Sequence, residues 1–298
     1  MAFALPAKAR LGEGLSLVVT SEIDELFAGR EPPPSVDDRV HETRKSIKRL
    51  RALLRLYRGS LGHALFELED ARLREIGRSL GQARDAVALR ESLERLVHCA
   101  SPVDRPRLAD HLAALTSALD YGSRASPDEV SAALHSAHDG LGAVRERARG
   151  WSVDRSGWSA LAPGFRRTYA SGRRALGRAL HRPSEKRLHD FRIQVKRHQY
   201  QLTLLEPLWP EPVKVFRQEA QRLGELLGQD HDLSLLEKRF ETLRERPELA
   251  PLERAFRAAT ENGHADLRRE ALDLGARLYA ESPRRLAERY REYFDAWV

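Results

Sequence analysis

The sequence predicts an all-α protein, and three observations carry that prediction. β-Branched residues are thinly scattered, so strand signals are scarce. Leu, Ala, Arg and Glu dominate and recur at helical spacing. Finally, breaker clusters divide the chain into helix-sized pieces. In order they are "AGREPPPSVDD", "ASPVDRP", "YGSRASPDE", "ARGWSVDRSGWSALAPG", "HRPSEK", "EPLWPEP", "RERPELAP" and "ESPRR". "SPDE" before "VSAAL" reads as a helix start, with Ser126 as N-cap, Pro127 in the first turn and acids behind it. With 298 residues and 41 % hydrophobic content, the chain can fill the core of one large domain or two ordinary ones, although 32 % of it is charged.

The stretch "VHETRKSIKRLRALLRLYR", residues 40–58, sets seven basic residues against one Glu. Wound as a helix, it places Arg44, Lys48, Arg51 and Arg55 within an arc of roughly 80° beside His41. Ile47, Leu50, Leu53, Leu54 and Tyr57 form a separate apolar face that should enter the core. Like charges at i,i+4 cost a few tenths of a kcal/mol each, and no acid on the stripe offsets them. An anionic partner explains the stripe best.

The whole chain agrees in sign, with a net charge of +7 and a pI near 9.7. Of its 51 basic residues 44 are Arg, whose planar fork suits phosphate and carboxylate. Biased base composition also produces Arg-rich, Lys-poor chains, but it leaves the stripe unexplained. Cys99 is the single cysteine, which excludes a disulfide framework and a Cys-based metal site. "MAFALPAKARLGEG" lacks the charged start and long apolar run of a signal peptide, and no apolar run approaches a membrane span. A soluble cytoplasmic protein without membrane contacts is expected.

The chain also matches itself. "HETRKSIKRLRALLRL" at 41 answers to "HDFRIQVKRHQYQLTL" at 189, pairing His41, Arg44, Lys48 and Arg49 with His189, Arg192, Lys196 and Arg197. "LGQARDAVAL" at 80 answers to "LGQDHDLSLL" at 227 at nearly the same offset. The expectation is a duplication with halves 1–150 and 151–298, joined by the Gly- and Trp-containing segment around 150–164. Packed about a pseudo-two-fold axis, the halves would bring both stripes to one cleft or pore. The second stripe is weaker, because Gln199 and Thr203 stand where the first has Arg51 and Arg55.

Further basic residues fall on neighbouring helical segments. Arg74 and Arg78 share a face, with Arg72 nearby, and Arg166 and Arg173 share another beside Arg167 and Arg174. Together they would wall a cationic cavity. His41 and His189 sit among cations, which disfavours their charged forms, yet a neutral imidazole can donate one N–H to a phosphate oxygen. Neither has a carboxylate or second His at i+3 or i+4, so metal binding is weakly supported. The His231–Asp232 and His189–Asp190 pairs suggest a metal-dependent phosphohydrolase, but the first half has Arg84–Asp85 in place of His231–Asp232. Asp85 and Asp232 are expected to cap or salt-bridge a helix, or to orient a basic side chain. Glycine-rich phosphate loops, nucleophile elbows and paired catalytic carboxylates are all missing from the sequence. Tyr57, Tyr169 and Tyr200 are too few to offer stacking platforms for bases, and Tyr57 lies on the apolar face.

With both repeats in view, the chain resembles the CHAD domain, the conserved histidine α-helical domain. The resemblance rests on "VHETRKSIKRLRALLRLYR", "ELEDARLREIGRSLGQARDAVAL", "YASGRRAL", "LHDFRIQVKRHQYQLTLLEPLWP" and "RLGELLGQDHDLSLL", in that order. It implies two helical bundles related by a pseudo-two-fold axis around a central basic cavity or pore. It also implies non-catalytic binding of inorganic polyphosphate, with some members on polyphosphate granules and other polyphosphate-metabolising proteins as further partners. Its basic positions carry over onto Arg44, Lys48, Arg49, Arg51 and Arg55, and onto Arg192, Lys196 and Arg197. His41 and His189 are the name-giving histidines, and Arg72, Arg74 and Arg78 match the next basic helix. Gln199 departs from the family, which often has Arg there. Members are often fused to a triphosphate-hydrolysing tunnel domain that this sequence lacks, so neither hydrolysis nor a cofactor is implied. The rival readings are a nucleic-acid binder, a metal-dependent phosphohydrolase using the histidines, and a scaffold whose basic face docks an acidic protein.

Overall fold

The computed structural model describes residues 3–6, 11–28, 34–80, 92–98, 100–110, 126–242 and 249–297. Arg84, Asp85 and Cys99 lie outside them, as does almost all of the first "LGQ" segment. All regular structure among the described residues is helical: α1 (Leu11–Phe27), α2 (Val36–Leu56), α3 (His63–Ser79), α4 (Arg105–Asp110), α5 (Pro127–Ala148), α6 (Trp158–His181), α7 (Glu185–Leu205), α8 (Pro210–Thr242), α9 (Glu253–Leu278) and α10 (Pro283–Trp297), with two single 3₁₀ turns. None of the described helices is long and apolar enough to cross a membrane.

Helix starts follow local chemistry. Ser35 Oγ accepts the Asp38 amide at 3.1 Å, and Asp37 and Asp38 place negative charge at the positive end of α2. Ser126 makes a full capping box with Glu129, as "SPDE" predicts. Gly62, at φ +78°, turns the chain from α2 into α3, and no predicted breaker marked that turn. The 150–164 segment differs from the expected joint. It ends early, because α6 starts at Trp158 and carries Pro163 and Gly164 inside it. A proline in the second helical turn forfeits one amide hydrogen bond. Gly164 is required there by packing: a Cβ would lie 2.1 Å from the Leu56 carbonyl oxygen and 2.3 Å from that of Arg55. Thus α6 and α2 cross backbone to backbone.

Helix α7 packs on α2, α6 and α8, while α2 packs on α1, α3, α5, α6 and α7. The apolar face predicted for α2 is buried in full: Ile47, Leu50, Leu53, Leu54 and Tyr57 are each at most 3 % exposed. They join one hydrophobic cluster that runs from Phe3 to Phe294. A smaller cluster gathers Leu93, Leu96 and Leu108 against Leu236, Phe240 and Phe256. Inside the larger cluster, Gln201 of α7 donates to the Ala52 carbonyl of α2 at 3.3 Å and to Thr168 Oγ1 of α6 at 3.1 Å, tying three helices at one point. His198 is also buried, against Phe165, Tyr169 and Tyr279, and burial lowers its pKa to about 3, so it stays neutral.

Helices α8 and α9 are joined by a buried ionic network. His264 Nδ1 lies 2.6 Å from Asp230 Oδ1 and its Nε2 lies 3.2 Å from Glu237 Oε2, while Arg268 Nε donates to the same Asp230 oxygen at 2.6 Å. Burial opposes a charged imidazole, but hydrogen bonds to the two carboxylates outweigh it and raise the His264 pKa to about 9. A folded-state pKa above the unfolded one stabilises the fold in full below about pH 6.5, and that contribution fades as pH rises through about 9. The urea midpoint of the wild type should therefore fall between pH 7 and pH 9.5, and fall less in His264→Gln. Equal falls in the two proteins would show that His264 is not charged in the fold.

Candidate functional site

The cationic residues of α2 divide between two groups, and the first group opens on a cleft of about 540 Å³. From α2 it is lined by His41, Lys45, Lys48 and Arg49, from α7 by Arg192, Lys196, Gln199, Tyr200 and Thr203, and from α8 by Arg217, Gln221, Gly224, Glu225, Gly228, Gln229 and Asp232. Arg95 completes the lining. Among the described residues, seven Lys and Arg side chains thus face the carboxylates of Glu225 and Asp232. Some cations also have partners at its edge. Arg49 reaches Glu22 at 3.1 Å, Lys45 reaches Glu42 at 3.2 Å, and Asp232 lies 3.8 Å from Arg95. Asp232 therefore makes an ion pair from the middle of α8 and caps no helix.

Two glycines form the floor of the cleft. A Cβ at Gly224 would meet Lys196 Cδ at 2.9 Å, and one at Gly228 would meet the Arg192 guanidinium at 3.2 Å. One turn apart on α8, they let both cationic side chains lie flat against the helix. Lys196 Nζ is further held by Gln199 Oε1 at 2.9 Å, so the residue that replaces Arg in the second stripe positions the neighbouring cation. Burial, then Arg192, lowers the Lys196 pKa, and nearby Lys45 adds to this while Glu225 opposes it. An anion in the cleft would offset the repulsion from Arg192 and Lys45.

Arg51 and Arg55 of α2 and Arg74 of α3 form the second group and converge on Asp70 of α3, which is 2 % exposed. Arg197 of α7 approaches the same group. Burial, then the charges of Arg55 and Arg51, pushes its pKa down to about 10. Arg44 Nη1 donates to the Leu80 carbonyl at 2.7 Å. The remaining predicted cations stand apart from both groups. Arg72 pairs with Glu69 and Arg78 with Glu75, Arg173 donates to the Glu281 carbonyl, and Arg166 is exposed on α6.

His41 lines the cleft, whereas His189 lies outside its lining and faces His231, with ring centroids 4.5 Å apart. Among the described residues the Nδ1 atom of each facing ring is buried without a hydrogen-bond partner. Burial lowers the pKa of both rings, and Arg192 lowers them further, so both are neutral near pH 7. No three His, Cys, Asp or Glu side chains among the described residues come together as metal ligands would.

Sequence reasoning missed Lys45, Arg95, Arg217, Gly224, Gly228 and Asp70. Lys45 stands at i+4 from His41, and Gly224 and Gly228 repeat at i,i+4 in "LGELLGQ"; both signals were visible. Asp70, four residues before Arg74, reads as an ordinary helix pair until α2 is placed against it.

The family model of the CHAD domain matches residues 23–241. Among solved structures, the chain is similar to PptA from Streptomyces chartreusis, with a TM-score of 0.52 and 16 % identity over 91 % of this chain and 98 % of that one. At that identity the likeness concerns the fold. No curated protein sequence matches the chain significantly.

Proposed function

The chain belongs to the CHAD domain family, and from that premise we propose that it binds inorganic polyphosphate in the cleft between α2, α7 and α8 without turning it over. The observation that carries this reading is the meeting of Lys45, Lys48 and Arg49 with Arg192 and Lys196 around one space. Polyphosphate is a linear polyanion recognised by charge density and reach alone. Fixed guanidinium and ammonium groups form charge-assisted hydrogen bonds to its oxygens, worth about 1.5–3 kcal/mol each before ordering costs. Among the described residues Tyr200 is the one aromatic side chain other than His41 in the cleft lining, which favours a ligand with charge over one with stacked bases. The packing of α2 on α7 supports reading residues 1–150 and 151–298 as repeats whose equivalent basic helices form one site. Attachment to polyphosphate granules, directly or beside other polyphosphate-metabolising proteins, fits this role.

The test is calorimetric titration with long-chain polyphosphate at two salt concentrations, with single-stranded DNA as competitor. Binding should weaken as salt rises, by about one unit of log–log slope per phosphate neutralised. It should also survive excess DNA. Equal competition by DNA would make the cleft a generic basic surface, and phosphate release during the titration would make the protein an enzyme.

A further inference from the structure

The second cationic group on α2 already holds an anion, one supplied by the protein. Arg51 Nε donates to Asp70 Oδ1 at 2.8 Å, and Arg55 Nη2 and Arg74 Nη2 donate to Oδ2 at 2.8 and 3.0 Å. Three forks on two oxygens are the donor set that a phosphoryl group would meet. Burial alone would raise the Asp70 pKa, but the Arg51 hydrogen bond and the charges of Arg55 and Arg51 hold it well below the usual carboxylate range. Asp70 therefore carries its charge at every ordinary pH. A single charge cannot balance Arg51, Arg55, Arg74 and Arg197; burial lowers the pKa of Arg197, and the charges of Arg55 and Arg51 lower it further. The group is not sealed: the side chains of Arg74 and Arg51 are 47 % and 23 % exposed, so donors reach solvent.

We propose that this arginine group is a second phosphoryl-binding site, and that the Asp70 carboxylate is its resident counter-anion, competing there with the phosphoryl groups of the polyanion and limiting affinity. The inference rests on the polyphosphate reading and adds a residue that sets its strength. Asp70 here does not improve binding by aligning the arginines; its charge opposes binding.

Asp70→Asn removes the charge and keeps the size. It should bind long-chain polyphosphate about tenfold tighter than wild type, with a salt slope steeper by about one unit. The free variant should melt lower than wild type, because buried guanidiniums lose their counter-charge, and polyphosphate should raise its melting temperature by more. The same comparison in an Arg74→Gln background keeps the local charge of wild type and covers the case in which Asp70→Asn alone does not fold. There too, Asp70→Asn/Arg74→Gln should bind about tenfold tighter than Arg74→Gln. Unchanged or weaker binding in both folded comparisons would overturn the inference and leave the polyphosphate reading standing. No binding by any form, wild type included, would overturn both.

Discussion

Reversing two charges on α7, as Arg192→Glu/Lys196→Glu, is expected to reduce polyphosphate affinity by at least about a thousandfold at low salt. Each substitution removes charge-assisted hydrogen bonds of about 1.5–3 kcal/mol and adds repulsion in a space walled by low-dielectric helices. The fold should survive. Lys196 donates a hydrogen bond to Gln199 one turn away, and Gly224 and Gly228 leave room beside both side chains. The new carboxylates would also raise the pKa of His189 and His231, which Arg192 now depresses. Calorimetry beside circular dichroism checks the prediction. As a control, Arg173→Glu, whose parent donates to the Glu281 carbonyl and lines no part of the cleft, should stay within about threefold of wild type. Equal losses in the two variants would mean that only total charge matters, and the cleft would lose its claim.

The largest stability effect is expected at Gly164. A methyl group there would sit 2.1 and 2.3 Å from two backbone carbonyl oxygens of α2, and no rotamer change relieves a clash with backbone. The helices must separate, opening the contacts of Phe165 and Leu161 with the core, both 0 % exposed. Gly164→Ala should therefore cost about 3–5 kcal/mol and lower the melting temperature by about 10 °C. Gly177 lies on the same helix with nothing within 4 Å of its added Cβ. Gly177→Ala should stabilise by about 0.5–1 kcal/mol, because alanine is the better helix former. Two identical substitutions on one helix should thus differ in sign. A loss below about 1 kcal/mol at Gly164 would mean that the crossing has slack.

Most of the secondary structure was legible, because its causes are local. Ser126 with Glu129 caps a helix by short-range hydrogen bonding, and the apolar face of α2 follows from spacing alone. The joint near 150–164 was read too long because Pro163 and Gly164 look like breakers, and only the α2 backbone beside Gly164 explains why a helix keeps them. The stripe was legible as a stripe but not as two groups of cations with different neighbours. Within one arc of α2, Lys48 lines the cleft while Arg51 and Arg55 turn to Asp70. That division is decided by what α3, α7 and α8 bring to each group. Arg72 and Arg78 pair with Glu69 and Glu75, three residues before each, partners that the sequence also shows.

The partners of α2 also set an order of events in the cell. Its apolar face is completed by α6 and α7, and α7 begins roughly 130 residues after α2 ends, about ten seconds of ribosomal elongation. For that interval Leu50, Leu53 and Leu54 wait for their final neighbours, with α1, α3 and α5 as partial cover. The same helix carries its cationic side chains through that interval, and like charge keeps nascent chains from meeting one another. In the growing polypeptide the positive charge of α2 thus accompanies its apolar face for as long as that face lacks α6 and α7.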